Sequence, residues 1–150
     1  MLATKIEDAK KEEGFTLIEL LVVVIIIGIL AAIAIPVFLN QRQQAWERTV
    51  QSDLRNAAIA LETEFSDNNA YPADQGAFTA LVGTQVQLSP NVVAVGATVE
   101  ETVTYILTDQ GQGFCLAASH LNIDNTGGTV VASYDSTAGG LMASPSADCS

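Results

Sequence analysis

"GFTLIELLVVVIIIGILAAIAIPVF", Gly14 to Phe38, decides how the rest of the chain is read. No charged residue stands between Leu20 and Leu39, and those twenty residues, at about 1.5 Å each, make a helix of roughly 30 Å. That is the thickness of a bilayer's hydrocarbon core. Two features set the stretch apart from an ordinary anchor. A secretory signal has its small-residue cleavage position after the apolar run and loses that run on processing. Here the small residue, Gly14, stands in front of it. A cut after Gly14 discards only the polar leader 1–14, with Lys5, Lys10 and Lys11, and keeps the apolar helix.

The second feature is Glu19, a carboxylate just inside the apolar run, where an ionised group costs about 3 kcal/mol or more and is a functional candidate by default. One account is local. Glu19 lies one turn into the helix, can reach the interface, and is favoured near a helix N-terminus by the macrodipole. Cleavage supplies a better partner, the new α-amino group of Phe15 at the same depth. A cation and an anion about 4 Å apart at an effective dielectric near 20 attract by about 4 kcal/mol before desolvation is counted. Within one helix the two groups can meet; between copies, their pairing sets the axial register of one helix against the next. Gly28 and Pro36 weaken the helix, and Pro36 predicts a kink or local loosening over residues 32–36.

Charge is distributed as unevenly as hydropathy. Beyond the leader the only cations are Arg42, Arg48 and Arg55, and from Asn56 to Ser150 ten Asp or Glu face no Lys or Arg. Phosphate binding relies on a cationic patch, so a nucleic-acid partner is not expected. The three lysines of the leader give a weak positive-inside bias towards a cytoplasmic leader. Cys115 and Cys149, 34 positions apart, belong to no metal-ligand spacing. A disulfide in an oxidising, exported compartment is the better reading, worth roughly 3–4 kcal/mol on the chain-entropy model; two buried free thiols are the alternative.

The string from Gly14 to Phe38 resembles the N-terminus of type IV prepilins: Gly14, then Phe15, then Thr16-Leu17-Ile18-Glu19-Leu20, then an apolar helix holding Gly28 and Pro36. The resemblance implies a membrane precursor cleaved between Gly14 and Phe15 by a prepilin peptidase, with N-methylation of Phe15. It further implies extraction by a pilus assembly machinery into a helical homo-oligomeric filament at the cell surface, with roles in adhesion or motility. Glu19 would neutralise the Phe15 amine of a neighbouring subunit, and the stretch around Gly28 to Pro36 would be where the filament loses regular helix. The alternative within the same N-terminal pattern is a pseudopilin of a type II secretion-type system.

The remainder is expected to be α+β. Residues 15–40 form the apolar helix, 41–66 its amphipathic continuation, and 67–150 a loop, a sheet and a C-terminal region closed by the disulfide. Trp46, Val50, Leu54, Ala57, Leu61 and Phe65 recur at helical spacing and predict a packed face. Asn68, Asn69 and Pro72 stop the helix, Tyr71-Pro72 resembles the loop after the helix in many pilins, and residues 78–82 suggest a helical turn. Four short Val/Thr/aromatic segments, 91–100, 102–108, 113–120 and 128–135, predict an antiparallel meander, followed by a loop-like tail. No catalytic constellation, metal site or cofactor motif is found. The single histidine, His120, is expected at the surface or capping a turn. Asp109-Gln110-Gly111 and Asp124-Asn125 lack EF-hand spacing and read as turns rather than calcium loops.

Overall fold

The computed structural model describes residues 14–94, 103–143 and 145–147. The leader apart from Gly14, the outer half of the first predicted strand with the Glu100-Glu101 separator, and Cys149 lie outside the described residues. The chain divides after Leu39 into an N-terminal unit and a head, taken in turn.

A single helix, α1 (Leu17–Asn68), supplies the whole described N-terminal unit beyond Thr16 and then continues into the head. Val, Ile, Leu and Ala dominate its first part, and it runs through Gly28 and Pro36 without interruption. A proline inside a helix forfeits one amide donor, but its neighbours' hydrogen bonds can continue the spiral around it. Within the head the same helix becomes amphipathic. Val50, Asp53, Leu54, Ala57, Ala58, Ala60 and Leu61 are buried, whereas Trp46 and Phe65, at the two ends of the predicted stripe, are half-buried. The helix outlasts the expected end at residue 66 by two residues. It stops where Asn69 takes a left-handed conformation (φ 55°) and donates its N–H to the Phe65 carbonyl at 2.7 Å, a C-cap that asparagine tolerates.

After the turn at 69–74 comes α2 (Gln75–Gln85), a full eleven-residue helix where the sequence suggested one turn. Asp74 is its N-cap, accepting from Ala77 N–H at 2.9 Å. Among the described residues five strands follow: β1 (Val92–Ala94), β2 (Thr104–Thr108), β3 (Gly113–His120), β4 (Ala132–Asp135) and β5 (Gly140–Leu141), all pairing antiparallel. Four were expected. The addition, β5, lies in the tail read as loop, too short and too glycine-rich to show a period-two pattern. The registers explain how five strands still make four lanes. Ala94 and Ala132 both pair with Ala118, and Tyr105 and Tyr134 both pair with Leu116. β1 and β2 therefore occupy successive stretches of one edge of β3, with β4 on the other edge and β5 beyond it.

β3 is the centre of the sheet, and all eight of its residues are buried. Its run of small and apolar side chains, without polar alternation, is what a strand covered on both faces requires. Phe114, Leu116 and Ala118 join Val50, Leu54, Ala57 and Leu61 of α1, and Phe78 and Val82 of α2, in one core cluster. Each fully buried large side chain there contributes about 1.5–3 kcal/mol. Tyr71 wedges between Phe65 (centroids 4.6 Å) and Phe114 (5.1 Å), while the Tyr105 hydroxyl donates to the Pro72 carbonyl at 2.8 Å. The Tyr71-Pro72 pair thus fastens the loop to the sheet. Burial, reinforced by Tyr71, pushes the Tyr105 phenol up to about 12.

Candidate functional site

The residues singled out by the sequence lie at the start of α1. Gly14, Phe15 and Thr16 precede the helix. Thr16 caps it: its Oγ1 accepts from Glu19 N–H and its carbonyl from Leu20 N–H, both at 3.3 Å. Thr16-x-x-Glu19 has the sequence form of a capping box, and Glu19 lies in the first turn, where the helix dipole favours a carboxylate. Phe15 and Glu19 are therefore one turn apart at the same end of the helix, both exposed.

From Leu17 to Leu39 the helix is bare. Leu17 is 82 % exposed and Leu39 57 %, and the large apolar side chains between them are likewise exposed. Mean hydropathy reaches 3.3 in an 18-residue window of which none is buried within the chain. It is the one helix among the described residues long and apolar enough to cross a membrane. A built Cβ on Gly28 would meet nothing within 4 Å. Such a surface needs hydrocarbon or another protein against it, since contiguous exposed apolar patches mark interaction sites.

A polar cluster in the head escaped the sequence reading. Asp53, only 3 % exposed on the buried face of α1, accepts from Ser89 N–H at 2.7 Å and Ser89 Oγ at 3.1 Å. Beside it lies His120, expected at the surface and in fact 2 % exposed. The imidazole stacks on Trp46 (centroids 5.7 Å), and the Arg42 guanidinium sits 5.0 Å from the centre of that indole. His120 does cap a turn: its Nδ1 accepts from Asn122 N–H at 3.2 Å, which leaves the neutral ring's proton on Nε2. Burial raises the Asp53 carboxyl above its ordinary value despite the two Ser89 hydrogen bonds, and burial lowers His120 despite the nearby Asp53 charge. The sequence signal for this cluster was present. Asp53 falls on the same helical face as Val50, Leu54 and Ala57, where a carboxylate needs a partner.

Asp124 closes a turn, accepting from the Thr126 hydroxyl at 2.6 Å and amide at 3.0 Å and from the Thr129 hydroxyl at 2.7 Å and amide at 2.9 Å. These bonds, Thr126's first, hold its carboxyl well below the usual range. At Asp135 burial works the other way, but the bonds from Thr137 and Ala138 outweigh it and the carboxyl is again lowered. Cys115 is fully buried on β3. Its expected partner, Cys149, lies outside the described residues.

Residues 9–35 match the family model described as the prokaryotic N-terminal methylation motif. The chain is 33% identical over 121 residues to the type IV wide pilus major component PilA4 of Thermus thermophilus, covering 81% of this chain and 79% of that protein. It is also 42% identical over 73 residues to the type II secretion system core protein G of Pseudomonas aeruginosa and 35% identical over 72 residues to that of Escherichia coli. In those two cases it spans about half the length of the relative, 51% and 50%. No solved structure matches the chain significantly. With a bare apolar helix led by Gly14-Phe15 and carrying Glu19, a small antiparallel head later in the sequence, and a pilin relative matched over most of both lengths, this chain belongs to the type IV pilin family.

Proposed function

We propose that the chain is the structural subunit of a type IV pilus. The precursor is held in the inner or plasma membrane by the first part of α1 and is cut by a prepilin peptidase between Gly14 and Phe15. The new Phe15 amine is N-methylated. The pilus assembly machinery then draws the subunit into a helical filament that emerges at the cell surface. The apolar helices form the filament core, with Glu19 of one copy set against the Phe15 amine of the next, an attraction of about 4 kcal/mol at 4 Å before desolvation. Gly28 and Pro36 are where the helix gives way as copies pack. A Cys115–Cys149 disulfide closes the C-terminal region after export.

The observation that carries this reading is the unburied apolar surface from Phe15 to Leu39, which a single copy cannot satisfy. The pilus is favoured over the secretion pseudopilin by extent of similarity: the PilA4 match runs through 81% of the chain, whereas the core protein G match stops at 49%.

Intact-mass measurement of the chain recovered from cells tests the processing step. A chain beginning at Phe15, one methyl group heavier than its sequence, is expected; a chain that still carries 1–14, or that has lost the apolar helix, overturns the proposal. Glu19→Ala should leave a membrane-held mature chain and suppress fibres seen by electron microscopy. Normal fibre yield would remove the role given to Glu19.

A further inference from the structure

We infer that the outward face of α1 in the head is a charge-complementary contact between copies, in which Arg48, Arg55 and Ile59 of one subunit meet the acidic end of the same helix, Glu64 and Asp67, on the next. The inference rests on the filament reading and adds to it a second contact, outside the apolar core.

Gln41, Ala45, Arg48, Ser52, Arg55 and Ile59 recur alternately four and three residues apart and are all exposed, opposite the buried Val50, Leu54, Ala57 and Leu61. This stripe contains no acid. Its two arginines are two of only three cations that remain after the leader. The third, Arg42, lies over Trp46. Among the described residues, Arg48 and Arg55 have no hydrogen-bond or ion-pair partner within the chain. Four acids of the head are occupied internally: Asp53 by Ser89, Asp74 by the start of α2, and Asp124 and Asp135 by threonines. Ile59 is 65% exposed, the most exposed large apolar side chain described in the head. It borders a groove of about 350 Å³ between α1 and residues 85–87.

The helix thus carries exposed cations at Arg48 and Arg55, with the neighbouring Glu47 half-buried and accepting from Gln43, and ends in the acids Glu62, half-buried Glu64 and exposed Asp67. Of these acids, Glu62 is tied to Tyr71 and Glu64 only to Asn68 on the adjacent turn, while Asp67 has no partner among the described residues. Arg55 and Asp67 stand twelve residues apart, roughly 18 Å along the axis, too far to neutralise each other across a Debye length of about 8 Å. A second copy displaced along the same axis brings the unlike ends together. Such a contact is heterologous: it uses one patch on one subunit and a different patch on the next, so it propagates instead of closing a dimer. A filament requires that geometry, and apart from Arg42, which lies over Trp46, the anionic head offers no other lysine or arginine for the purpose.

Charge reversal in cells making the full chain tests this. R48E/R55E should reduce sheared fibres by about tenfold or more, as loss of complementarity at a repeated contact implies. The membrane-held mature chain should stay at its normal level, which shows that the head still folds. R48Q/R55Q, which removes charge without reversing it, should fall in between. E64R/D67R should repeat the defect, and the four-fold swap R48E/R55E/E64R/D67R should restore fibres. Normal fibres with R48E/R55E overturn the inference. So does a swap that restores nothing, which would place the acidic partner on another protein, or a loss of the membrane pool alone, which would assign the arginines to the lipid surface. Absence of fibres from the unsubstituted chain would instead bring down the filament reading itself, and this inference with it.

Discussion

Asp53 offers the sharpest test of the head's energetics, because two substitutions separate its hydrogen bonds from its charge. The carboxylate is buried and accepts from the Ser89 amide at 2.7 Å and hydroxyl at 3.1 Å. Asp53→Ala leaves both donors without their acceptor. Hydrogen bonds to a charged group are worth about 1.5–3 kcal/mol each, offset by relief of the burial penalty, so a net loss of about 2–4 kcal/mol is expected. Asp53→Asn keeps one carbonyl oxygen for the Ser89 amide and removes the charge, and should cost about 1 kcal/mol or less. The two proteins should also respond differently to pH. Burial raises the folded-state pKa of Asp53 above its unfolded value. Between those two values the folded state binds more protons, so the wild type loses stability as pH rises through that window, and Asp53→Asn does not. The wild type's advantage over Asp53→Asn should therefore be largest in acid and shrink towards neutrality. Thermal unfolding of the full chain in mild detergent, followed by the single tryptophan, Trp46, reads this directly, because its indole stacks on the neighbouring His120. Equal losses for Ala and Asn, or an advantage that grows with pH, would refute the reasoning.

Gln75 uses its side-chain amide as a piece of strand: Nε2 donates to the Val103 carbonyl at 2.8 Å, and Oε1 accepts from Tyr105 N–H at 2.7 Å. Gln75→Glu turns that donor into a second acceptor facing a carbonyl, and should cost about 1–3 kcal/mol in thermal unfolding at neutral pH, less where the new carboxyl is protonated. His120 carries the opposite pH dependence to Asp53. Its folded pKa is lowered by burial, so the unfolded state binds protons first as pH falls below the ordinary histidine value. Stability should drop through that window, and the drop should vanish in His120→Asn.

The residues with the plainest sequence signal were those whose surroundings are uniform. An uncharged apolar run reads as one helix whatever packs on it, and the buried stripe of α1 followed from three-and-four spacing. β3 was legible to the residue, Gly113 to His120, because its turn residues stand directly at its borders. The weaker readings depended on distant partners. β5 exists because Tyr134 and Asp135 offer it an edge, not because Gly140–Leu141 prefer extended backbone. The burial of His120 depends on Trp46 and Asp53 meeting it from a helix more than sixty positions earlier. α2 reads as a single turn in the sequence because its fully buried residues are only Phe78 and Val82, with Leu81 partly buried beside them, while its start is fixed by the Asp74 cap.

On the proposed pathway the large energies and the decisive ones belong to different residues. Eighteen large apolar side chains from Phe15 to Leu39 are exposed in the single copy, and withdrawing them from lipid into water would cost about 1.5–3 kcal/mol each, tens in total. Lipid and a bundle of neighbouring helices satisfy such chains almost equally, so the hydrophobic effect alone gives little preference for filament over membrane. It also sets no register, because one valine or isoleucine faces a neighbour much as the next does. Directional contacts must then make the choice. Within the apolar unit Glu19 and the freed amine of Phe15 supply one, and in the head Arg48 and Arg55 of α1 supply another. Loss of either should therefore alter fibre formation far more than it alters the stability of a subunit, and that separation distinguishes an assembly contact from a structural one.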